Sequence, residues 1–455
     1  MSALKETQKN LLIIGGGITG LAASYLAVKA NHKVTLIEAS DRFGGLLKTF
    51  PIGGTELEHF YHHFFTHDLE LRWLLKELDL QDEIFYRKVT MGIYRNKNIF
   101  DFNSPKDLLA FNAIPLLDRI RFGLSSLLMG KFLHWEKWEH VSAIDWFYKY
   151  AGKQCTDSIW APMLKVKFGP FYDQVPAAWM IGRLRQRMNS REGTEEMLGY
   201  LKGSLDILCK SLVARLSGMG ADLYTNMPAK KLEINKKHLT AVYSTDKKFE
   251  SQKFLFTIPT TSIYPLVKNT DETFSNQLKE VQYCGAICTV LVSKQPLSHI
   301  YWLNVADPGF PFGGVIEHTN FIDPEKYQNK HIIYLSRYFS ANEEIATQDD
   351  ETTKKQMLSS LRKLNPSFLE SNLEDVFIFR TDTAATVCDL NFPKKIPNCR
   401  TPIKNMYIAS MPHIYPDERS CNNSIRVAAE ACKVMELNCQ NIPRGPTLSG
   451  QIAMV

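Results

Sequence analysis

The sequence predicts an α/β fold, a parallel sheet covered by helices, on three observations. Residues 11–14 form a short, wholly apolar run, which is typical of a strand buried on both faces of a parallel sheet. That run leads directly into a glycine-rich turn, and a helical pattern follows the turn. The chain has 455 residues, more than one core usually supports, so we expect two domains or one large domain with insertions.

The composition excludes several classes of protein. Hydrophobic residues make up 44 % of the chain and charged residues 22 %, a globular balance that excludes disordered and fibrous chains. The net charge is only +6 and no dense basic stripe is visible, so nucleic-acid binding is not predicted. Nine cysteines without a C-x-x-C pair argue against a disulfide scaffold or a zinc ribbon, and predict a reducing, cytoplasmic setting.

The glycine-rich turn has the spacing G-x-G-x-x-G at Gly15, Gly17 and Gly20. Gly15 permits a tight turn, Gly17 lets the backbone approach a pyrophosphate, and Gly20 brings helix and strand close together. A second strand, predicted over residues 33–37, leads to Glu38, which can accept hydrogen bonds from a ribose diol and would repel a 2′-phosphate. Strand, turn, helix, strand and acid in this order predict a Rossmann-type dinucleotide site rather than an ordinary glycine turn.

The segment after Glu38 indicates which dinucleotide is bound. It contains Arg42, Gly44 and Gly45 in the pattern R-x-G-G, and the chain here resembles the flavoprotein superfamily of protoporphyrinogen oxidases, phytoene desaturases, monoamine oxidases and UDP-galactopyranose mutase. The resemblance implies that FAD is the cofactor and that these residues run along its ribityl-pyrophosphate. It also implies a glutathione-reductase-type Rossmann FAD-binding domain. The full set of expected FAD-binding residues is Gly15, Gly17, Ile18, Thr19, Gly20, Glu38, Ala39, Arg42, Gly44, Gly45, Leu46, Ala229, Asn423 and Ser424.

The end of the chain resembles the C-terminal FAD element of the same superfamily. A buried strand is predicted over residues 405–410, and a helical pattern follows with Asn423 and Ser424 near its start. A helix N-terminus there would stabilise negative charge on reduced flavin. The superfamily usually has Gly-Asp after this strand, where this chain has Ser410 and Met411, so Asp417 or a main-chain group is the candidate substitute.

These segments predict a discontinuous FAD-binding domain with an α+β substrate domain inserted into it. A third FAD segment lies within residues 203–259, where the resemblance implies that the backbone of Ala229 pairs with adenine. We therefore assign residues 1–90, 200–265 and 385–455 to the FAD-binding domain. The substrate-binding domain comprises residues 91–199, which read as mostly helical, and residues 266–384, which read as mostly strands.

Residues 58–67 contain four of the twelve histidines. A hydrogen-bonded structural feature, a metal site and a catalytic site are all open from the pattern, but no cysteine or second acidic cluster is adjacent, so no metal is predicted. UDP-galactopyranose mutase has a similar segment beside its flavin, which implies that His62 lies near the isoalloxazine, with His59 and His63 as alternatives. The positions that match are Glu58, His62, Phe64 and Thr66. Phe60 replaces a glycine of that family, so the backbone path is expected to differ.

Two further groups of polar residues are candidates for the substrate site. Glu317 and His318 end an apolar strand, and alternation sends them to opposite faces, so we expect one of them to reach the flavin unless this is an ordinary strand-end turn. Arg183, Arg185 and Arg187 either hold a carboxylate or phosphate of the substrate or form a solvated basic face.

Membrane insertion is not predicted, because no run approaches the roughly 20 apolar residues of a spanning helix. Residues 116–138 come nearest, but charged residues interrupt them, among them Asp118, Arg119, Arg121, Lys131 and Glu136. We interpret this segment as an amphipathic helix packed on its own protein, with peripheral membrane contact or a wall of the substrate site as alternatives.

The combined prediction is an FAD-dependent oxidoreductase that takes a hydride from a C–H or C–N bond of a small organic substrate onto flavin N5. His62, His59, Glu317 and His318 are the candidate catalytic residues. A flavin-dependent sugar-nucleotide mutase and a non-enzymatic escort protein of the same fold are the alternatives. The oligomeric state, the substrate and the electron acceptor stay open.

Overall fold

The computed structural model describes residues 9–193 and 195–446. Its helices are α1 (Ile18–Lys29), α2 (Leu69–Glu77), α3 (Pro105–Ala110), α4 (Leu116–Leu127), α5 (Ala143–Tyr150), α6 (Lys153–Cys155), α7 (Ala161–Phe168), α8 (Ala177–Asn189), α9 (Asp206–Gly218), α10 (Thr260–Val267), α11 (Glu272–Glu280), α12 (Asp350–Leu364) and α13 (Cys421–Val434).

The strands are β1 (Asn10–Ile14), β2 (Lys33–Ile37), β3 (Thr49–Ile52), β4 (Thr55–Glu58), β5 (Phe64–Phe65), β6 (Ile84–Lys88), β7 (Met91–Arg95), β8 (Asn98–Asp101), β9 (Arg191–Glu192), β10 (Glu195–Leu201), β11 (Asp222–Tyr224), β12 (Lys231–Asn235), β13 (His238–Ser244), β14 (Lys247–Glu250), β15 (Lys253–Phe256), β16 (Tyr283–Ser293), β17 (Trp302–Val305), β18 (Gly314–Glu317), β19 (His331–Phe339), β20 (Leu373–Thr386) and β21 (Met406–Ile408).

A five-stranded parallel sheet, in the order β11-β2-β1-β15-β21, confirms the predicted α/β fold. Its strands come from three widely separated parts of the chain, which is why no single segment can form the sheet alone. In β1, Leu11 and Ile13 pack in a cluster with α1, α9 and α13, while Leu12 and Ile14 pack in a second cluster with α10 and α11. Both faces of this strand are therefore covered, as its wholly apolar sequence predicts.

The assigned boundary at residue 265 stays a prediction, but one helix beyond it packs with the parallel sheet. Phe274 and Leu278 of α11 belong to the same hydrophobic cluster as Leu12, Ile14 and Phe254. The core under the parallel sheet therefore extends past the expected end of the middle segment.

A second sheet of seven strands, in the order β20-β16-β19-β18-β17-β7-β8, forms most of the other half of the molecule. Tyr334 and Ile316 on one face join the same core cluster as Leu11 of the parallel sheet. Leu335 and Val315 on the other face pack in a cluster that includes α12. Residues 91–199 are mostly helical, as predicted, but they begin with β7 and β8, which extend this sheet.

Helix α3 begins as its sequence predicts. Ser104 is the N-cap, its hydroxyl accepts from the Asp107 N–H at 3.2 Å, and the Asp107 carboxylate accepts from the Ser104 N–H at 2.9 Å. This reciprocal pair satisfies two donors that a helix start would leave free.

The structure differs from the expected packing of residues 116–138. In α4, Leu117 is 80 % exposed and Leu124 is 64 % exposed, whereas Phe122 and Ser125 are the residues the helix buries. Arg121 lies on the packed side, where its guanidinium donates to the carbonyls of Tyr150 and Lys149. The apolar side of α4 therefore faces away from the protein. Within residues 9–193 and 195–446, no helix combines the length and the apolar character needed to span a bilayer.

Candidate active site

The turn between β1 and α1 needs glycine at two positions for different reasons. Gly15 has a φ of +111°, a conformation that L side chains rarely adopt. At Gly20 a Cβ would lie 1.9 Å from the carbonyl oxygen of Gly15, so this position admits no side chain. Both glycines fix the path of the backbone from strand to helix.

Gly17 and the R-x-G-G segment form one cradle. The Gly44 N–H donates to the Gly16 carbonyl at 2.8 Å, which holds the second glycine segment beside the first. A Cβ at Gly17 would meet only the Gly45 Cα, at 4.0 Å, so the space in front of Gly17 is free of protein atoms. Helix α1 begins at Ile18 with no side chain capping it, and unpaired N–H groups at a helix start bind phosphate.

The Glu38 carboxylate lies at the edge of this cradle. It accepts from the Gly16 N–H at 2.7 Å and from the Ser40 N–H at 2.9 Å. Ala39 is exposed beside it, and the Glu38 carbonyl accepts from the Met227 N–H at 2.8 Å, so the segment that carries Ala229 runs alongside. The acid and the expected adenine segment are therefore adjacent.

The start of α13 is arranged differently from that of α1. The Ser420 hydroxyl accepts from the Asn423 N–H at 3.1 Å, and the Asn423 side-chain amide donates to the Glu418 carbonyl at 2.7 Å. The side chain of Asn423 thus binds the preceding loop, while Ser424 is half-buried in the first turn. The contact of Asn423 with FAD stays a prediction, and its side-chain amide binds the Glu418 carbonyl.

The cradle around Gly17, the uncapped start of α1 and the carboxylate of Glu38 fit the pyrophosphate and ribose of FAD. The residues that would hold it at this end are Gly15, Gly17, Ile18, Thr19, Gly20, Glu38, Arg42, Gly44, Gly45 and Leu46. Arg42 is exposed, and its guanidinium donates to the Thr49 carbonyl at 3.0 Å.

A buried glutamate anchors the histidine segment. Glu58, which pairs with Thr49 across the β3–β4 hairpin, accepts from the Tyr200 hydroxyl at 2.5 Å and from the Leu205 N–H at 2.7 Å. Burial raises the pKa of Glu58 to about 7. The Tyr334 hydroxyl donates to the Glu58 carbonyl at 2.7 Å. Since these contacts come from three separate segments, they fix where residues 59–63 leave the hairpin.

His62 and His63 face a common region of the structure. Burial, then the charge of Arg419, lowers the pKa of His62 to about 3, and burial, then Arg187, lowers that of His63 to about 3. Both rings are therefore neutral at neutral pH. The Phe60 carbonyl accepts from His62 Nδ1, which leaves Nε2 as the acceptor of a neutral ring.

The other two histidines of the segment lie apart. His59 stacks on Phe379 with ring centroids 4.0 Å apart and an interplanar angle of 6°. His67 stacks on Phe65 at 5.6 Å. Among the residues that the structure describes, no group of three or more His, Cys, Asp or Glu side chains is arranged to hold a metal ion.

The position of Glu317 differs from its expected role beside the flavin. Its carboxylate accepts from the N–H groups of Leu297 and Ser298 at 2.9 and 2.7 Å. It follows Ile316, which faces the shared core, so alternation directs Glu317 to the opposite face of the sheet. Glu317 therefore binds a loop, and we assign it no catalytic role.

His318 is buried among tyrosines rather than in an open space. Its Nε2 and the Tyr327 hydroxyl are 2.9 Å apart, and its ring lies 5.6 Å from Tyr200 and 6.2 Å from Tyr334. Burial lowers the pKa of His318 to about 3. It supports the tyrosines that hold Glu58, so its influence on the histidine segment is indirect.

The region that His62 and His63 face is lined by cations, and we call it the cationic cavity. It lies between α7, α8, β19 and the loop before α13, and Lys167, Trp179, Glu418 and Arg419 line a recess on one side of it. Its charged side chains are Lys167, Arg183, Arg187, Arg419, Glu196, Asp417 and Glu418. Arg185, the third arginine of α8, instead donates to the carbonyls of Gly130 and Leu133.

Aromatic rings complete the walls of the cationic cavity. The Lys167 ammonium lies 4.6 Å from the Trp179 ring, and the Arg187 guanidinium lies 5.9 Å from the Trp302 ring. Tyr338 accepts from Arg419 at 3.2 Å through its hydroxyl. Sequence reasoning missed Lys167, Arg419 and these rings. Two lysines, Lys165 and Lys167, interrupt the otherwise apolar sequence of α7, and this was the local signal that could have indicated Lys167.

The fold and the cradle define a flavoprotein with a Rossmann-type FAD domain, and comparison with known proteins identifies the family. The family described as "Flavin containing amine oxidoreductase" matches residues 18–410, and the chain belongs to it. The protein is therefore an FAD-dependent oxidoreductase, and the escort-protein alternative is not retained.

Individual relatives are distant and cover most of the chain. A 15-cis-phytoene desaturase of Glycine max is 21 % identical over 450 residues, which span 88 % of this chain and 74 % of the relative. A structure described as a protoporphyrinogen oxidase from Exiguobacterium has a TM-score of 0.76 at 16 % identity, covering 95 % of this chain and 99 % of that one. Reduced UDP-galactopyranose mutase has a TM-score of 0.75 at 13 % identity, covering 95 % and 97 %.

Proposed function

We propose that the protein removes a hydride from a C–H or C–N bond of a small organic substrate that binds in the cationic cavity. When bound, FAD supplies the acceptor for that hydride at flavin N5. The observation that carries the proposal is the position of His62 and His63. They continue directly from the hairpin that follows Gly44 and Gly45, and they face the cationic cavity.

The protein groups would position the substrate and exclude water. Trp179, Trp302 and Tyr338 form apolar walls that leave little room for solvent around a bound molecule. His62 Nε2 would accept a hydrogen bond from an N–H or O–H next to the reacting carbon. Because its pKa is far below neutrality, His62 is a hydrogen-bond acceptor here and not a stored proton.

The test is the absorbance spectrum of the purified protein, followed by anaerobic bleaching with candidate amines, porphyrinogens and sugar nucleotides. We expect a flavin spectrum and bleaching by at least one oxidisable compound. His62→Gln keeps an acceptor oxygen but not its position, and should lower kcat/KM by about tenfold with flavin content unchanged, the effect of one hydrogen bond. His238→Gln, at an exposed histidine, is the matched control. Unchanged turnover in His62→Gln would remove this residue from the mechanism.

A flavin-dependent mutase acting on a sugar nucleotide is the second candidate. The residues Glu58, His62, Phe64 and Thr66 favour it, and the cations opposite His62 could hold a diphosphate. The two candidates differ in electron balance. A mutase would need flavin reduced beforehand and would give product without net oxidation, whereas the oxidoreductase bleaches its own flavin with substrate.

We also propose that the exposed apolar side of α4 contacts an anionic lipid bilayer. The residues of this apolar patch are Leu109, Leu116, Leu117, Ile120, Leu124 and Phe132, each at least 47 % exposed. Of the exposed charged residues within positions 105–138, four are basic and one, Glu136, is acidic. Apolar side chains with a basic surround are typical of helices that lie in the membrane interface.

Sedimentation with phosphatidylglycerol vesicles tests this contact. We expect the wild type to sediment with the vesicles and the double variant Leu117→Glu/Leu124→Glu to stay in the supernatant. Leu369→Glu, at a leucine 57 % exposed elsewhere on the surface, should behave as the wild type. If the wild type does not bind the vesicles and the double variant differs from it in mass in solution, the patch forms a dimer. That result contradicts the proposal.

A further inference from the structure

The cationic cavity holds more positive than negative charge. Lys167 and Arg183 both pair with the single carboxylate of Glu418. Arg187 pairs with Glu196, whose two oxygens lie 3.0 and 3.1 Å from its Nη1. Lys167, Arg183 and Arg187 are therefore paired with only two carboxylates.

Arg419 adds a fourth cation that has no acidic partner. Among residues 9–193 and 195–446, no carboxylate oxygen lies within 4.0 Å of its guanidinium, and its hydrogen bond goes to the Tyr338 hydroxyl at 3.2 Å. The neighbouring acid, Asp417, pairs with Arg426 at 3.0 Å. Apart from the Asp417–Arg426 pair, the cavity walls thus have four basic side chains and two carboxylates.

This excess charge is enclosed rather than solvated. The side chains of Lys167 and Arg183 are 14 % and 20 % exposed. Burial, then the charge of Arg183, lowers the pKa of Lys167 to about 7, and burial, then Arg187, lowers the pKa of Arg183 to about 10. Enclosed charge is stable only when paired, so a cluster with unpaired cations is costly without a counter-ion.

We propose that the cationic cavity binds an oxyanion group of the substrate, a carboxylate or a phosphate, with Arg419 and Arg187 as its principal donors. The inference rests on the proposed function, because it places this group on the molecule that is oxidised. Guanidinium groups present donors in a fork that matches both oxyanions. The cradle that we propose for the pyrophosphate of FAD is formed by Gly17, Gly44 and Gly45, none of which belongs to the cationic cavity, so the two anion sites use different residues.

The histidine pair links this anion site to the reacting carbon. Arg419 is the charged neighbour of His62, and Arg187 is that of His63. An oxyanion bound at Arg419 would therefore lie on the side of the cationic cavity that His62 faces. A substrate anchored by its anionic group would present an adjacent carbon to His62, which restricts the substrate to small acids or phosphate esters.

Titration calorimetry on the FAD-loaded protein tests the proposal without any turnover. The probes are acetate, inorganic phosphate and pyrophosphate, each at constant ionic strength set with sodium chloride. We expect saturable binding of acetate or of the phosphates, and the preferred probe distinguishes a carboxylate from a phosphate. Arg419→Gln should weaken that binding by about tenfold or more, the effect of losing a charged hydrogen bond.

Arg337→Gln is the matched control. Arg337 directly precedes Tyr338 in β19, and it pairs with Glu343. It should change the dissociation constant by less than about twofold. Absence of saturable binding, or equal weakening in both variants, overturns the anion site. Oxyanion binding by FAD-loaded protein whose flavin is bleached by none of the candidate substrates supports the anion site and contradicts the proposed oxidation, so the two failures are distinguishable.

Discussion

Gly17 is the residue whose role can be separated most clearly from folding. Its φ is −74°, which any residue adopts, and a Cβ there would have no protein atom closer than 4.0 Å. Gly20 is the opposite case, because a Cβ would collide with the Gly15 carbonyl. The glycine motif is thus partly a requirement of the fold and partly a requirement of the ligand.

Gly17→Val is therefore expected to fold normally and lose FAD. The valine side chain would fill the space that the pyrophosphate needs, while the protein around it stays unstrained. The measurement is the ratio of flavin to protein absorbance, together with the melting temperature of apoprotein. Gly218→Val, at a position with no atom within 4 Å, is the control and should keep its flavin. Full flavin occupancy in Gly17→Val would contradict the cradle.

Glu58 makes stability depend on pH. Its pKa in the folded protein is about 7 against 4.5 in the unfolded chain, so the unfolded chain loses the proton first as pH rises. The free energy of unfolding should therefore fall between pH 4.5 and 7, by on the order of 3 kcal/mol from this group, and level off above. Asp68 and Glu317, whose pKa values burial also raises to about 7, add to the fall.

Glu58→Gln should flatten part of this profile, because glutamine has no proton to lose. Urea unfolding at a series of pH values measures it, and Glu250→Gln, 71 % exposed, is the control. A profile unchanged in Glu58→Gln would show that this carboxyl does not titrate in the range.

At the scale of elements, the sequence did not show which face of the sheet each side chain of β18 occupies. The sequence correctly predicted the strand and the separation of Glu317 from His318, but not which face meets the cavity. That choice depends on pairing with β19, whose Tyr334 lies beside Ile316 in the register. Pairing partners that lie far along the chain carry no local signal.

Glu317→Ala is expected to destabilise the protein without affecting its chemistry. The change leaves the N–H groups of Leu297 and Ser298 without their acceptor, at a cost of about 2–4 kcal/mol in the free energy of unfolding. Glu317→Gln keeps one acceptor oxygen and should lose less. Unfolding curves and kcat at a temperature where all variants are folded measure both effects. A large loss of kcat with normal stability would return Glu317 to the catalytic set.

At the scale of the whole molecule, one core joins the two sheets. Leu11 of the parallel sheet, Tyr334 of the seven-stranded sheet and Ala428 of α13 belong to the same hydrophobic cluster. The proposed FAD-binding residues range along the chain from Gly15 to Ser424, so we expect the bound cofactor to tie distant parts of the chain together.

Added FAD should therefore raise the melting temperature of apoprotein in a single transition. Binding at 100 times the dissociation constant adds about 2.7 kcal/mol, which corresponds to a rise of several degrees. Riboflavin, which lacks the pyrophosphate that the Gly17 cradle receives, is the control and should raise it much less. Equal shifts with FAD and riboflavin would contradict the role of the cradle.

The sequence by itself determined the parallel sheet, the FAD cradle and the family, because strand, glycine turn, helix and acid lie within about forty consecutive residues and act locally. Only the tertiary structure decided that His62 is neutral, that Glu317 binds a loop, and that the apolar side of α4 is exposed. It alone brought Lys167 and Arg183 to Glu418, more than 200 residues away. Burial, sheet register and long-range pairing set these features, and each depends on neighbours that the local sequence does not contain.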